Sequence, residues 1–240
     1  MLGRDHRFGD GRAAIERSVA AGFTTSADFI LGVPTAASRR QELATAADHL
    51  SIYELTIEDR TAFGQRVRDG RLVPLDEDAL TELYRETRDR LVADGYEHYE
   101  ISSYARPGKR AVHNSLYWRG TPYLGLGVGA ASLEIAASGD AVRATNPRRA
   151  AAYLADPGAP DEVVAVPRAE MAADRAWLGL RTSDGVAEAS LLPAEGIADW
   201  LVSERLAERR NGAICPTLHG FLMADRIAAR IVQAWRAQRL

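Results

Sequence analysis

A strand, a helix and a second strand joined by very short links restrict the fold of this chain more than any other feature. Thr24–Leu31 is short, β-branched and apolar, and it carries Asp28. Gly32-Val33-Pro34 turns the chain, Ser38–Ala47 has the pattern of a helix, and Leu50–Ile57 reads as a second strand. Two strands linked through one crossover helix are parallel neighbours, so the fold class is α/β. One such unit does not close a barrel. Thr24–Leu31 is expected to carry an open, apolar edge unless something else covers it.

The remaining periodicities add helices around this unit. Ala13–Gly22 reads as a helix ended by Gly22, with Ile15 and Val19 four residues apart. Asp78–Gly95 is the clearest helix: Asp78 is placed to cap it, Leu80, Leu83, Tyr84 and Leu91 share a face, and Gly95 stops it. Tyr99–Tyr104 alternates like a strand. Tyr123–Leu133 reads as another, with Gly125, Gly127 and Gly129 on one face, where a flat ligand or another backbone can approach. Asn146–Pro167 reads as a helix flowing into a linker. Beyond it come helices Arg168–Leu180 and Ile197–Arg205, a hairpin turn at Asn211-Gly212 and a terminal amphipathic helix Phe221–Gln238. That order is winged-helix-like.

Charge and sulfur exclude several function classes. The net charge is −3, and the winged-helix-like part balances ten Arg against nine Asp and Glu, so a basic surplus for binding nucleic acid is missing. No apolar run is long enough to span a bilayer and no signal peptide opens the chain, so a cytoplasmic location is expected. Cys215 is the only cysteine, which rules out an internal disulfide and any site needing two thiolates from these residues. It reads as a small buried apolar side chain.

His113-Asn114-Ser115-Leu116-Tyr117-Trp118 is the densest chemical signal. It places a metal-competent nitrogen beside two flat amphipathic rings, a surface that suits a planar metal-bearing ligand such as haem. The same residues also read as a satisfied histidine with two core aromatics. Asp28 is a carboxylate in an apolar strand, either aimed at a ligand or bonded to backbone amides at a sheet rim. Glu54, Thr56 and Glu58 are spaced to share one face of the second strand. Tyr96, Tyr99 and Tyr104 gather around Glu100 and read as strand packing with hydroxyls reaching solvent. His98 reads as an exposed position on that strand, and His49 and His219 as helix-end or turn residues. Gly125-Leu126-Gly127-Val128-Gly129 lacks the spacing of a dinucleotide fingerprint. No cluster has zinc spacing and no hydrolytic triad is recognisable.

Several stretches together resemble the HemW group of radical S-adenosylmethionine proteins, relatives of oxygen-independent coproporphyrinogen III oxidase. They are Leu2-Gly3-Arg4-Asp5-His6, the seven residues Asp28 to Pro34, the ten residues His49 to Glu58, and Gly95-Tyr96-Glu97-His98-Tyr99-Glu100-Ile101-Ser102. His113-Asn114 with Tyr117-Trp118 follows, then the eight residues Tyr123 to Ala130, with Arg181 and Gly185 echoing the C-terminal domain. The resemblance implies the C-terminal part of a (βα)6 partial barrel followed by a helical, winged-helix-like domain. Residues 1–60 would end the barrel, 61–145 would cap it and carry the HNxxYW and glycine-rich segments, 146–167 would be a linker, and 168–240 the C-terminal domain.

The resemblance also implies a haem-binding, haem-trafficking role. His113 would contact haem iron, with Asn114, Tyr117 and Trp118 around it, and haem-accepting respiratory proteins would be partners. Arg4 and Asp28, with Thr56 and Ala131 more weakly, would contact S-adenosylmethionine. The family's CxxxCxxC loop has no counterpart here, so a [4Fe–4S] cluster would need cysteines from a separate chain. The helix Ser38–Ala47 is also about two turns shorter than its counterpart, by the helical pitch. The abrupt start suggests a truncated or split reading frame. Two alternatives stand beside the haem role: one half of a split radical enzyme acting on porphyrinogens, and a non-catalytic interaction module.

Overall fold

The computed structural model describes residues 9–33, 46–192, 194 and 196–237. The chain divides into two compact units, the first ending at Ala111 and the second beginning at Val112. This boundary falls inside the expected 61–145 segment. The expected helix Ser38–Ala47 falls outside the described residues except for Ala46 and Ala47, which are not helical.

In the first unit, helix α1 (Asp10–Ala20) leads to strand β1 (Ser26–Leu31), and β2 (His49–Glu54) pairs parallel to it from Ser26 opposite His49 to Leu31 opposite Glu54. The parallel pairing matches the sequence expectation. α2 (Ala62–Arg68) and α3 (Glu77–Ala93) follow. Asp76, not Asp78, caps α3, its carboxylate accepting the Ala79 N–H at 2.7 Å. Gly95 leaves the helix in the left-handed region at φ 86°.

The expected strand Tyr99–Tyr104 is a tight hairpin, β3 (Glu97–Glu100) and β4 (Ser103–Ala105), in a sheet ordered β1-β2-β4-β3. Sequence alternation passed smoothly over the turn because Glu100 makes the turn itself. Its carboxylate accepts the Ser102 N–H at 3.1 Å, the Ser102 hydroxyl at 3.2 Å and the Ser103 hydroxyl at 2.9 Å. Ala27, Leu31, Leu50 and Ile52 face the core with Leu91 of α3, Tyr96 and Tyr104. The other sheet face is polar.

The second unit opens with α4 (Val112–Trp118). The expected strand Tyr123–Leu133 begins only at Ala131. β5 (Ala131–Ile135), β6 (Ala141–Thr145) and β7 (Glu162–Val166) form an antiparallel sheet, with α5 (Ala150–Ala155) before β7. The stretch 146–167 is therefore not a bare linker: β7 is the third strand of that sheet. Valines in β7 carried the strand signal, and three prolines around them obscured it.

The glycine alternation belongs to a loop that doubles back on β5. Tyr123 bridges Leu133, and Gly125 passes so close that a Cβ there would meet the Ala131 carbonyl oxygen at 2.2 Å. The approach is backbone on backbone, one of the two possibilities the sequence left open.

The rest follows the winged-helix-like order. α6 (Arg168–Gly179), β8 (Val186–Ala187), α7 (Ile197–Ser203), the hairpin β9 (Ala207–Arg210) and β10 (Ala213–Pro216), α8 (Leu218–Leu222) and α9 (Ala224–Ala237) enclose Ala176, Leu201, Leu206, Ile214, Ile231 and Trp235. Asn211 and Gly212 both take positive φ, 50° and 79°, as a two-residue hairpin of matching twist requires.

Candidate functional site

Strand alternation in the first unit builds a polar row across all four strands. Asp28 of β1 lies opposite Ser51 of β2, Ser51 opposite Ser103 of β4, and Ser103 opposite Glu100 of β3. Asp28 is exposed, whereas Ser51, Ser103 and Glu100 are buried. A second row starts at Ser26 and His49.

His49 is not a turn residue. It is the first residue of β2 and buried, with Nδ1 2.8 Å from the Ser26 hydroxyl and Nε2 2.8 Å from the Tyr99 hydroxyl. Burial lowers its pKa, opposed by the charges of Asp28 and Glu100. Sequence reasoning missed it because a histidine beside a predicted loop carries no burial signal.

The tyrosines are corrected in the same way. Tyr96, Tyr99 and Tyr104 are all buried. The Tyr96 hydroxyl donates to the Ala47 carbonyl at 2.7 Å. His98 is not an exposed strand position: its ring stacks on Tyr104 and its Nε2 lies 3.1 Å from the Ile101 carbonyl oxygen. Burial lowers its pKa to about 4. Thr56 and Glu58 lie beyond the end of β2, so the expected shared face with Glu54 does not form. Burial raises the Glu54 pKa.

The second unit holds the HNxxYW residues on α4. Helical spacing puts His113 and Tyr117 on one side, and their rings meet edge to face with centroids 4.9 Å apart. Tyr117 in turn meets Tyr123 edge to face at 4.8 Å. His113 is exposed and Asn114 half-buried. On the neighbouring side of the helix, the Arg181 guanidinium lies 4.8 Å from the centre of the Trp118 ring. Val112 and Leu116 of α4 and Leu124, Leu126 and Val128 of the following loop are exposed. Hydrogen bonds fix that loop: Asn146 donates to the Gly125 and Gly127 carbonyls at 3.1 and 2.9 Å, Gly125 N–H to Ser132 at 2.9 Å, and Gly127 N–H to Tyr153 at 3.0 Å.

Arg4 lies outside the described residues, Asp28 is on β1, Thr56 is exposed past β2, and Ala131 begins β5 in the other unit. An iron–sulfur cluster does not fit these residues. Cys215 is buried with its thiol donating to the Asp184 carbonyl at 3.3 Å, and no group of three metal-competent side chains occurs among the described residues. No described helix is long and apolar enough to cross a membrane.

No protein-family profile matches the chain. Its fold matches a solved structure of coproporphyrinogen III oxidase (HemN) from Escherichia coli, described there as a radical SAM enzyme, with a TM-score of 0.71 at 17% identity, over 96% of this chain and 60% of that one. Over the part spanned, the chain therefore has the fold of that structure. Its sequence is 34% identical over 204 residues to "Heme chaperone HemW" of Synechocystis sp., covering 80% of this chain and 48% of the relative. It is 39% identical over 136 residues to "Heme chaperone HemW" of Mycobacterium tuberculosis, covering 54% of this chain and 35% of that protein. Over the part spanned, the chain is thus similar in sequence to proteins named heme chaperone HemW and in fold to HemN. It spans about half the length of the curated relatives it matches, or less.

Proposed function

We propose that this chain binds haem as a cargo for transfer, with His113 as an axial ligand to the iron. One observation carries the reading: an exposed imidazole sits edge-on to Tyr117, which contacts Tyr123, with exposed apolar side chains Val112 and Leu116 on the same short helix. An exposed imidazole supplies the nitrogen, and flat rings with aliphatic neighbours supply the surface a porphyrin covers. Tyr117 would orient the His113 ring, Asn114 would offer an amide to a polar substituent, and Trp118, with the Arg181 guanidinium over its ring, would hold the neighbouring side of the helix in place. Relatives named haem chaperones support the same reading.

Haem-accepting respiratory proteins would receive the cargo, in the cytoplasm. S-adenosylmethionine would contact Arg4 and Asp28, with Thr56 and Ala131 as weaker contacts.

Adding haem to the purified protein is expected to give a Soret band that His113→Ala weakens at least ten-fold in affinity. Tyr117→Phe should keep the band, because the ring contact with His113 is retained. A Soret band of unchanged position and strength in His113→Ala overturns the assignment.

A further inference from the structure

Leu124, Leu126 and Val128 are 74, 79 and 51% exposed, although the loop that carries them is pinned along its length. The Asn146 side-chain amide donates to the Gly125 and Gly127 carbonyls, and the Gly125 and Gly127 N–H groups donate to Ser132 and Tyr153. The main chain ties the far end: Gly129 N–H donates to the Pro147 carbonyl at 3.0 Å and Asn146 N–H to the Ala130 carbonyl at 2.9 Å. A single exposed apolar side chain needs no explanation. Three of them on a backbone whose glycines are bonded inward cannot be hidden by folding the loop away. Such a surface also loses little further freedom when a ligand covers it.

The loop continues the ring contacts that start at His113. His113 meets Tyr117, Tyr117 meets Tyr123, and Leu124 follows directly. A cation stands at the other end. A Cβ on Gly129 would lie 3.5 Å from Arg148 Cγ, so the stem of Arg148 runs against the end of the loop. Arg148 is exposed, and its guanidinium makes no hydrogen bond or ion pair with another described residue. All of these residues belong to the second unit.

An apolar surface ending in a guanidinium complements a flat apolar body with carboxylates at one edge. Haem has that form, because its two propionates leave the same edge of the ring. We propose that a porphyrin lies against Leu124, Leu126 and Val128 and that Arg148 pairs with a propionate, so that the site selects tetrapyrroles with free carboxylates. This rests on the haem reading above and gives it a specificity.

Titrations of the full chain with haem and with haem dimethyl ester, in one detergent buffer, separate charge from apolar area. Arg148→Gln is expected to weaken haem about five-fold, the upper range for an exposed ion pair, and to leave the ester unchanged. Arg149→Gln removes the same charge one residue further on and should leave both unchanged. Leu126→Ser, at a side chain outside the core, is expected to weaken haem and ester alike, by about ten-fold. Equal losses of haem and ester in Arg148→Gln, no loss in that variant, or as large a loss of haem in Arg149→Gln overturns the propionate pair. Wild-type affinities in Leu126→Ser overturn the apolar surface. Iron-free protoporphyrin IX keeps both propionates and offers His113 no metal, so it tells these failures from that of the haem reading. If no Soret band depends on His113 but the fluorescence of protoporphyrin IX titrates with the same losses in Arg148→Gln and Leu126→Ser, the axial ligand falls and the surface stands. If protoporphyrin IX does not bind either, both fall.

Discussion

His98 lies flat against Tyr104, ring centroids 4.4 Å apart and planes 8° from parallel. The stack closes the β3–β4 hairpin on the side of helix α3, where the Tyr84 hydroxyl donates to the Ile101 carbonyl at 2.7 Å. Below it, Glu100 gathers the hydroxyls and amide of the turn. The hairpin that presents Tyr99 to His49 is thus fixed from both faces of the sheet.

Stability is expected to fall in mild acid because of this stack. Burial holds the folded His98 pKa at about 4, against 6.5 for an ordinary histidine. Between those values the unfolded chain binds a proton that the folded chain refuses, so stability rises with pH. The contribution is complete above about pH 6.5 and is lost as pH falls towards 4. A gap of this size corresponds to roughly 3 kcal/mol. His49 acts in the same direction. Urea melts from pH 7 to 4.5 should show the loss, and His98→Gln should flatten the curve. An equally steep curve in that variant would remove His98 as the cause.

Removing the Glu100 carboxylate is expected to cost more than removing an exposed acid. Glu100 is 1% exposed and one oxygen takes three donors. Glu100→Ala strands those donors in the interior, at about 1–3 kcal/mol for each that water cannot reach. Glu100→Gln keeps one acceptor and should lose about half as much. Chemical denaturation of both variants, with Glu16→Ala on the exposed side of α1 as a control, measures the difference.

The loop behind β5 makes opposite predictions for two glycines. Gly125→Ala puts a methyl group 2.2 Å from the Ala131 carbonyl oxygen, and the obstacle is backbone, so the loop must shift. A loss of several kcal/mol is expected, on the scale of overpacking. Gly11→Ala, in α1 with open space around it, should stabilise the protein by up to about 1 kcal/mol. Thermal midpoints of the two variants should move in opposite directions.

The regular elements were legible in the sequence, and the irregular ones were not. Strands β1 and β2, helices α3, α6 and α9, and the Asn211-Gly212 hairpin all announce themselves through period, caps or turn residues. The β3–β4 hairpin does not, because its turn is stabilised by Glu100, a residue type that does not mark turns. Gly125 and Gly127 mimic strand alternation because a loop running antiparallel to β5 has to be close on one side. The candidate site divides in the same way. His113 and Tyr117 are visible as neighbours from helical spacing alone. His49 and Tyr99 are 50 residues apart and meet only through a bulge in β3 and the antiparallel pairing of both β2 and β3 with β4, neither of which has a local signature.

Cys215 supplies the last test, because it is the only thiol among these 240 residues. It lies in β10, 4% exposed, with its hydrogen directed at the Asp184 carbonyl. Gly185 packs against the same strand so closely that a Cβ there would meet the Ile214 carbonyl oxygen at 2.0 Å. A thiol so enclosed reacts only when the β9–β10 hairpin opens. A disulfide reagent should therefore label the native protein slowly and the denatured protein at once. Cys215→Ala should cost less than about 2 kcal/mol, as a small buried group replaced by a smaller one does. Iron and sulfide added anaerobically should leave wild type and Cys215→Ala with the same EPR-silent background, since one inward thiol cannot ligate a four-iron cluster. A reducible cluster signal that disappears in Cys215→Ala would mean that the β9–β10 hairpin opens and that two or more chains share a cluster through this residue.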